Sequence, residues 1–173
     1  MVLWKIRPAP EPIARDCIIM LQIRGQKGMT KKVLIVEDEI FVALEIEQIV
    51  QDAGFEVVAI AADRAAAAAA APACDIALVD LNLRDGPTGP SIGMELAGLH
   101  GVRVIYITAN PGQIGDASAA ALGVIIKPFR APCVSAALQL AAGDDCAPGA
   151  WDIAGFTPFP VSRGSWSALE SRG

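Results

Sequence analysis

Between residue 32 and about residue 142, short apolar runs alternate with segments of helical periodicity, and this alternation constrains the fold more than any other feature. Five of the runs have the length and the β-branched content of buried strands: 33–36, 55–60, 75–80, 102–108 and 123–126. Strands that are apolar throughout and that alternate with helices form a parallel sheet covered on both faces. We therefore predict a doubly wound α/β domain with five strands.

The helices are predicted from apolar spacing and from end signals. The first has a stripe that should face the sheet: Val42, Ile46, Ile49 and Ala53. Phe41, Leu44 and Gln48 point away from that stripe at the helical period, so we expect them to be partly exposed. The other helical segments are predicted at about 65–71, 90–99 and 130–142.

Charge and composition exclude several classes of protein. The formal net charge is −5 and the basic residues are scattered, which disfavours a nucleic-acid surface. No apolar run reaches the ~18 residues of a membrane span, and no secretory cleavage pattern is present. The four cysteines form no CxxC pair and the chain has one histidine, which excludes a multi-histidine zinc site. We expect a cytoplasmic protein.

Polar residues stand at the carboxyl ends of four of the predicted strands: Glu37, Asp38, Asp80, Thr108 and Lys127. The carboxyl ends of parallel strands meet in one crevice, so these side chains should share a site. Three carboxylates held close together repel one another and call for a cation, and oxygen ligands without histidine or thiolate favour Mg²⁺. A lysine and a threonine hydroxyl opposite them would bind phosphoryl oxygens, which makes Asp80 a candidate nucleophile for an aspartyl phosphate.

Each of these residues has a simpler explanation. Asp38 or Glu39 could cap the helix that follows. Asp80 could begin a turn, and Lys127–Pro128 could be an ordinary strand exit. Their joint occurrence at strand ends favours the shared site.

Residues 31–142 resemble the receiver domain of bacterial two-component response regulators. The resemblance is carried by VLIVEDE, LVDLNL, ITAN and IKPF, in that order and each at a predicted strand end. It implies a flavodoxin-like sheet of strand order 2-1-3-4-5 with helices on both faces. It also implies a phosphoprotein that acts in a phosphorelay and is not an enzyme beyond its own phosphotransfer and dephosphorylation.

The resemblance further implies roles for single residues. Asp80 would take a phosphoryl group from a sensor histidine kinase or a histidine phosphotransfer protein, Lys127 would pair with that group and Thr108 would shift to bond it. The Mg²⁺ ligands that it implies are Glu37, Asp38, Asp80 and the backbone carbonyl of Asn82. The resemblance does not specify the downstream protein target of this chain, and it leaves open whether the chain forms a homodimer.

Two departures from the receiver pattern concern the switch region. Val124 stands where the family usually has an aromatic residue, so the usual pairing of threonine and aromatic is absent. Tyr106, on the same strand face as Thr108, is a candidate substitute. The stretch between Thr108 and Lys127 is short and contains Pro111 and glycines, which predicts a short or irregular helix and a remodelled dimerisation or signalling face.

The ends of the chain fall outside the resemblance. Residues 1–30 are predicted to be a disordered extension or a mis-assigned start, because Met29 opens the segment that is typical of receivers. Residues 143–173 are predicted to be a tail without an output domain. We therefore expect a single-domain receiver.

Two other functions compete with that of a phosphoaccepting receiver. An aspartate-nucleophile phosphatase needs a second acid two residues after the nucleophile, and Asn82 stands there instead. A phosphorylation-independent adaptor is disfavoured because every site position carries the residue that phosphorylation requires. Val124, which replaces the usual aromatic residue of the switch, favours the adaptor.

Overall fold

The computed structural model describes residues 30–143 and 153–160, and its strands and helices alternate as predicted. In chain order the elements are β1 (Lys32–Val36), α1 (Ile40–Asp52), β2 (Glu56–Ala61), α2 (Arg64–Ala70), β3 (Ile76–Val79), α3 (Gly89–His100), β4 (Arg103–Thr108), β5 (Ala121–Ile126), α4 (Ala131–Ala142) and β6 (Phe156–Pro158).

The six strands form one sheet in the order β2-β1-β3-β4-β5-β6. The first five are parallel and have the predicted order 2-1-3-4-5. The five predicted strands are confirmed, and a sixth that was not predicted, β6, pairs antiparallel with β5 at the edge of the sheet. A three-residue strand that contains a proline has no periodicity of its own, and it is ordered by pairing with a distant part of the chain.

The core has one half on each face of the sheet. Successive strand side chains point to opposite faces, so Val33 and Ile35 pack with α1 and α4, whereas Leu34 and Val36 pack with α2 and α3. Every β3 residue is buried, because that strand lies inside the sheet with helices above and below it. This layering confirms the doubly wound architecture.

The buried stripe of α1 differs in part from the prediction. It consists of Ala43, Ile46, Ile49 and Val50. Val42 and Ala53, which were predicted in the stripe, lie at its margin and are only partly buried. On the opposite side, Phe41 is 86% exposed and Leu44 is 47% exposed, as the helical period predicted.

The connection between β4 and β5 contains no α-helix. Two 3-10 helices, Pro111–Gln113 and Gly115–Ala120, take its place. This confirms the prediction of a short or irregular helix. Ile114 and Ala117 from this connection are buried against the sheet, so the segment still covers part of the core.

The predicted extension at residues 1–30 lies outside the described residues, apart from Thr30, and so does most of the predicted tail. Within the described part of the chain, no helix is long and apolar enough to cross a membrane.

Candidate functional site

Four of the predicted site residues lie at the carboxyl edge of the sheet. Glu37 follows β1, Asp80 follows β3, Thr108 ends β4 and Lys127 follows β5. Backbone hydrogen bonds hold the ends of neighbouring strands together: the N–H of Asp80 donates to the carbonyl of Val36 at 2.9 Å. The N–H of Lys127 donates to the carbonyl of Thr108, also at 2.9 Å. The parallel register thus brings residues distant in sequence to one crevice.

The Lys127 ammonium bridges two buried carboxylates. Its Nζ donates to Oε2 of Glu37 at 2.7 Å and to Oδ2 of Asp80 at 2.6 Å. The side chains are 16%, 1% and 10% exposed for Lys127, Glu37 and Asp80. Charge-assisted hydrogen bonds of this length in a nearly dry site hold the three side chains in fixed positions.

Burial and charge shift the pKa values of this cluster. Burial raises the pKa of Glu37, and the hydrogen bonds from Lys127 and from the N–H of Glu39 only partly oppose that rise. Burial disfavours the charge of Lys127, but hydrogen bonds to Asp80 and Glu37 outweigh it, so the pKa of Lys127 is raised. The ammonium therefore stays charged between two acids, and the acidic groups of the cluster outnumber the basic ones even before the neighbouring Asp38 is counted.

Asp80 is fixed by its own loop and by the start of α3. Its Oδ1 accepts a hydrogen bond from the N–H of Leu81 at 2.6 Å. Gly89 lies directly against the Asp80 carbonyl, where a Cβ on residue 89 would overlap the backbone of Asp80 and Leu81. Gly89 was not among the predicted site residues, because a glycine at a helix start is compatible with a close backbone approach but does not require one.

The other predicted site residues are arranged differently. Thr108 is fully buried, and its Oγ1 accepts from the N–H of Asn110 at 3.1 Å, so its side chain is bonded to its own loop and not to Asp80. Asp38 is half-buried and makes no hydrogen bond through its carboxylate to a described residue, and Asn82 is exposed. Glu39 occupies the N-cap position of α1 without a side-chain capping bond, so helix capping does not explain these acids.

A polar network holds the loop after Asp80 against the neighbouring loop. Arg84 pairs with Asp63, the side chain that caps α2. Asp85 accepts from the backbone N–H of Arg64 at 3.0 Å and from the Thr88 hydroxyl at 2.6 Å. These exposed contacts individually contribute little to stability, but together they define the path of the loop between Asp80 and α3.

The donor set is compatible with Mg²⁺. No three side chains among the described Asp, Glu, His and Cys residues are gathered closely enough to enclose a metal ion. Mg²⁺ does not require such a cage, because it keeps several waters and binds through one or two carboxylates together with phosphate oxygens. Asp38, whose carboxylate makes no hydrogen bond to a described residue, and Asp80 could supply two such carboxylates.

Tyr106 occupies a fixed position beside the switch region. It lies on β4 opposite Val124 of β5, and both side chains are buried. Its hydroxyl donates to the carbonyl of Pro90 at 3.3 Å, and Gly93 packs so closely over it that a Cβ there would overlap the phenol oxygen. Tyr106 is thus anchored under α3, on the face predicted from strand alternation.

An apolar surface lies next to the site. Ile40, Phe41 and Leu44 are exposed on the first turns of α1. Beside them is an open pocket of about 440 Å³, lined by Val42, Glu45, Ala109, Lys127, Pro128 and Phe129. Exposed apolar side chains next to a buried charged cluster are typical of a surface that binds another protein.

Comparison with known proteins agrees with this geometry. A sequence model described as the response regulator receiver domain matches residues 33–139. The phyllosphere-induced regulator PhyR of Methylorubrum extorquens is 33% identical over 118 residues, which cover 65% of this chain and 44% of PhyR. The chain therefore spans less than half the length of that relative.

Solved receiver structures have the same fold. The PhyR receiver domain of Erythrobacter litoralis superposes with a TM-score of 0.62 at 28% identity, covering 70% of this chain and 96% of that domain. A CheY-like receiver domain from Methanospirillum hungatei gives a TM-score of 0.56 at 25% identity, and the match covers 64% of this chain and 91% of that domain. The anti-anti-sigma factor PhyR of Bartonella quintana gives a TM-score of 0.58 at 27% identity, and the match covers 74% of this chain and 54% of that protein.

Proposed function

Because this chain belongs to the response regulator receiver family, we propose that it accepts a phosphoryl group on Asp80 and transmits that state through protein contacts. The observation that carries the proposal is the Lys127 ammonium held between Glu37 and Asp80 at the carboxyl edge of the sheet. A carboxylate beside a fixed cation can act as a nucleophile whose product charge is already compensated.

The chemistry proposed for Asp80 is an in-line transfer. A carboxylate oxygen attacks the phosphorus of a donor phosphohistidine, the P–N bond breaks, and the imidazole leaves with the electron pair and takes up a proton. The Lys127 ammonium would then pair with the phosphoryl oxygens, because they carry the negative charge after the transfer. The backbone N–H of Lys127 donates to the carbonyl of Thr108, whose hydroxyl is bonded to the loop that follows it. A displacement of Lys127 on phosphorylation would therefore also move Thr108 and that loop.

We propose Mg²⁺ as the cofactor, held by Asp38, Asp80 and the backbone carbonyl of Asn82, with Glu37 beside it. The bound ion would neutralise charge on the phosphoryl oxygens during transfer. The direct test is incubation with Mg²⁺ and acetyl phosphate, followed by intact-mass measurement. We expect the addition of one phosphoryl group that hydroxylamine removes, and a chain that stays unmodified with Mg²⁺ present would overturn the proposal.

Replacement of Asp38 by alanine should weaken Mg²⁺ binding by at least about tenfold, since a carboxylate that faces a cation in a partly dry site contributes more than ~1.4 kcal/mol. The fold should stay intact or become more stable, because a repulsion is removed. Calorimetric titration with Mg²⁺ measures the first effect and urea unfolding the second. Glu45→Ala on exposed α1 is the control, and equal Mg²⁺ affinity in Asp38→Ala and the native chain would remove Asp38 from the site.

Sensor histidine kinases or histidine phosphotransfer proteins are the donors that we propose, and the exposed turn of α1 is the surface they would contact. We expect Phe41→Ala to lower phosphotransfer from a cognate donor protein by at least about tenfold, a loss of ~1.4 kcal/mol in transition-state stabilisation. Phosphorylation by acetyl phosphate should hardly change, because a small donor needs no docking surface. Phosphate incorporation from both donors measures the effect, and an equal loss with both would make Phe41 a structural residue.

We propose a cytoplasmic role in the control of sigma factors, because one relative is named an anti-anti-sigma factor. Direct contact with a protein of that regulatory system would be the output.

A phosphorylation-independent adaptor is the second candidate. It is favoured by Val124 in place of the usual aromatic residue and by the anchored Tyr106, because β4 and β5 then carry no aromatic side chain that is free to turn between two positions. A chain that takes up phosphate without any change in its amide spectrum would support this alternative.

A further inference from the structure

The loop between β3 and α3 contains a tight turn at residues 83–86. The N–H of Leu83 donates to the carbonyl of Gly86 at 2.9 Å, and the N–H of Gly86 donates to the carbonyl of Leu83 at 2.8 Å. Leu83 is 6% exposed and packs into the half of the core that contains α3. Gly86 has φ +109°, a conformation that only glycine adopts easily. The base of the turn is therefore fixed, and its two middle residues, Arg84 and Asp85, are exposed.

Both middle residues of the turn bind the start of α2. Nε of Arg84 donates to Oδ2 of Asp63 at 3.0 Å, and Nη2 of Arg84 donates to the same oxygen. The other oxygen of Asp63 accepts from the N–H of Ala66 and thereby caps the helix. Asp85 accepts from the backbone N–H of Arg64 at 3.0 Å. We call these bonds of Arg84 and Asp85 to residues 63 and 64 the turn–α2 contact.

The backbone carbonyl of Asn82 lies between two bonded neighbours. The carbonyl of Leu81 accepts from the N–H of Gly89 at 3.1 Å, and the carbonyl of Leu83 accepts from Gly86. Among the residues that the structure describes, none donates a hydrogen bond to the carbonyl of Asn82. A backbone oxygen without a protein partner is available to water or to a cation. Its direction is set by the path of the chain into the turn.

We propose that the turn–α2 contact orients the Asn82 carbonyl for Mg²⁺, so that Arg84 and Asp85 are positioning residues of the metal site. The inference rests on the proposed function, in which this carbonyl and the carboxylates of Asp38 and Asp80 hold the ion. Mg²⁺ requires near-ideal octahedral geometry at about 2.0–2.1 Å, so a carbonyl that turns away no longer serves as a ligand. Residues that hold metal ligands in place typically contribute about 10–100-fold to metal affinity.

The charge of Arg84 gives the prediction for this residue a definite sign. The pKa of Arg84 is raised mainly by its bond to Asp63, and the charge of Asp38 also contributes to the rise. A positive charge within range of a proposed Mg²⁺ ligand repels the cation, so its removal alone would strengthen Mg²⁺ binding. Arg84→Ala should instead weaken Mg²⁺ binding, because the turn loses its bonds to Asp63. Tighter binding in Arg84→Ala would show that Arg84 acts only through its charge and would overturn the inference.

The main test removes both halves of the turn–α2 contact without changing the net charge. Arg84→Ala/Asp85→Ala loses one positive and one negative side chain, while Asp63 keeps its capping bond. Calorimetric titration of the full chain with Mg²⁺ should give an affinity at least about threefold weaker than that of the native chain. The expected loss is below the usual range for such residues because Leu83 stays buried. The urea midpoint without Mg²⁺ should hardly change, because the lost contacts are exposed.

The ion pair between Arg64 and Glu95 provides the matched control. Its side chains are 45% and 43% exposed, and it joins α2 to α3. Arg64→Ala/Glu95→Ala also removes one charge of each sign, and Asp85 keeps its bond because it accepts from the backbone N–H of residue 64. This variant should bind Mg²⁺ like the native chain. Native affinity in both double variants, or an equal loss in both, would overturn the inference.

Asp38→Ala separates this inference from the proposed function. If Asp38→Ala binds Mg²⁺ less tightly than the native chain, an unchanged affinity in Arg84→Ala/Asp85→Ala overturns only the role of the turn–α2 contact. A native chain that binds no Mg²⁺ would overturn the proposed metal site and this inference with it.

Discussion

Asp80→Asn should take up no hydroxylamine-sensitive phosphate from any donor. The amide has nearly the shape of the carboxylate, so the fold and the hydrogen bond from the N–H of Leu81 can persist. It carries no negative charge and is a poor nucleophile, so the phosphoryl group has no acceptor. Intact-mass measurement after incubation with acetyl phosphate and Mg²⁺ gives the result directly.

Asp116→Asn is the matched control for that experiment. Asp116 is exposed on the second 3-10 helix after β4 and makes no hydrogen bond or ion pair to Lys127 or Asp80, so its replacement should leave phosphate incorporation unchanged. Phosphate that persists in Asp80→Asn, or that maps to Asp85 in the loop after β3, would show that Asp80 is not the acceptor.

Lys127→Met should lower the free energy of unfolding by about 3–5 kcal/mol at neutral pH, because removal of one partner leaves buried carboxylates without their counter-charge. Methionine preserves most of the apolar stem and its packing. Glu37 and Asp80 are 1% and 10% exposed in their side chains, so solvent cannot replace the lost ammonium. Urea unfolding at pH 7 measures the loss.

The pH dependence of this loss has a definite sign. Burial raises the pKa of Glu37 above its ordinary 4.5, and the bond from Lys127 is the largest effect that opposes the rise. Without Lys127 the folded protein binds a proton on Glu37 to higher pH, so stability in the variant falls as pH rises from about 4.5 through the raised pKa. The difference between variant and native chain should therefore be larger at pH 7 than at pH 5.

Lys31→Met is the control for charge removal. Lys31 pairs with Asp75 at 3.5 Å, and both side chains are more than two-fifths exposed. Such a pair contributes ~0–1 kcal/mol. Equal losses in Lys31→Met and Lys127→Met would mean that the central cluster is solvated and that Lys127 does not compensate buried charge.

The predicted fold followed from local patterns that tertiary structure reinforces. Each parallel strand is buried on both faces, so its apolar run is visible in the sequence, and the rule for strand ends brought Glu37, Asp80 and Lys127 together. The stripe of α1 was shifted toward Ala43 and Val50, because this helix carries apolar residues on more than one face and the spacing alone does not show which of them meets the sheet.

The remaining features depend on contacts that local sequence does not encode. Phe156–Pro158 becomes a strand only because β5 has an unpaired edge and Gly123 leaves room for a ring. The directions of the side chains within the site likewise depend on contacts that form only in the folded chain. Thr108 bonds its own loop, and Lys127 bridges Glu37 and Asp80, which follows from burial and charge balance in the assembled crevice.

Tyr106 is the only tyrosine of the chain, and its burial has a spectroscopic consequence. Burial raises the pKa of its phenol, so the ring stays neutral and its absorbance should not titrate in the ordinary range. Isotope labelling of tyrosine alone would give ring signals from one residue, which lies between Pro90 at the start of α3 and the strand that ends at Thr108. These signals would report on the contact between β4 and the helix that follows the Asp80 loop.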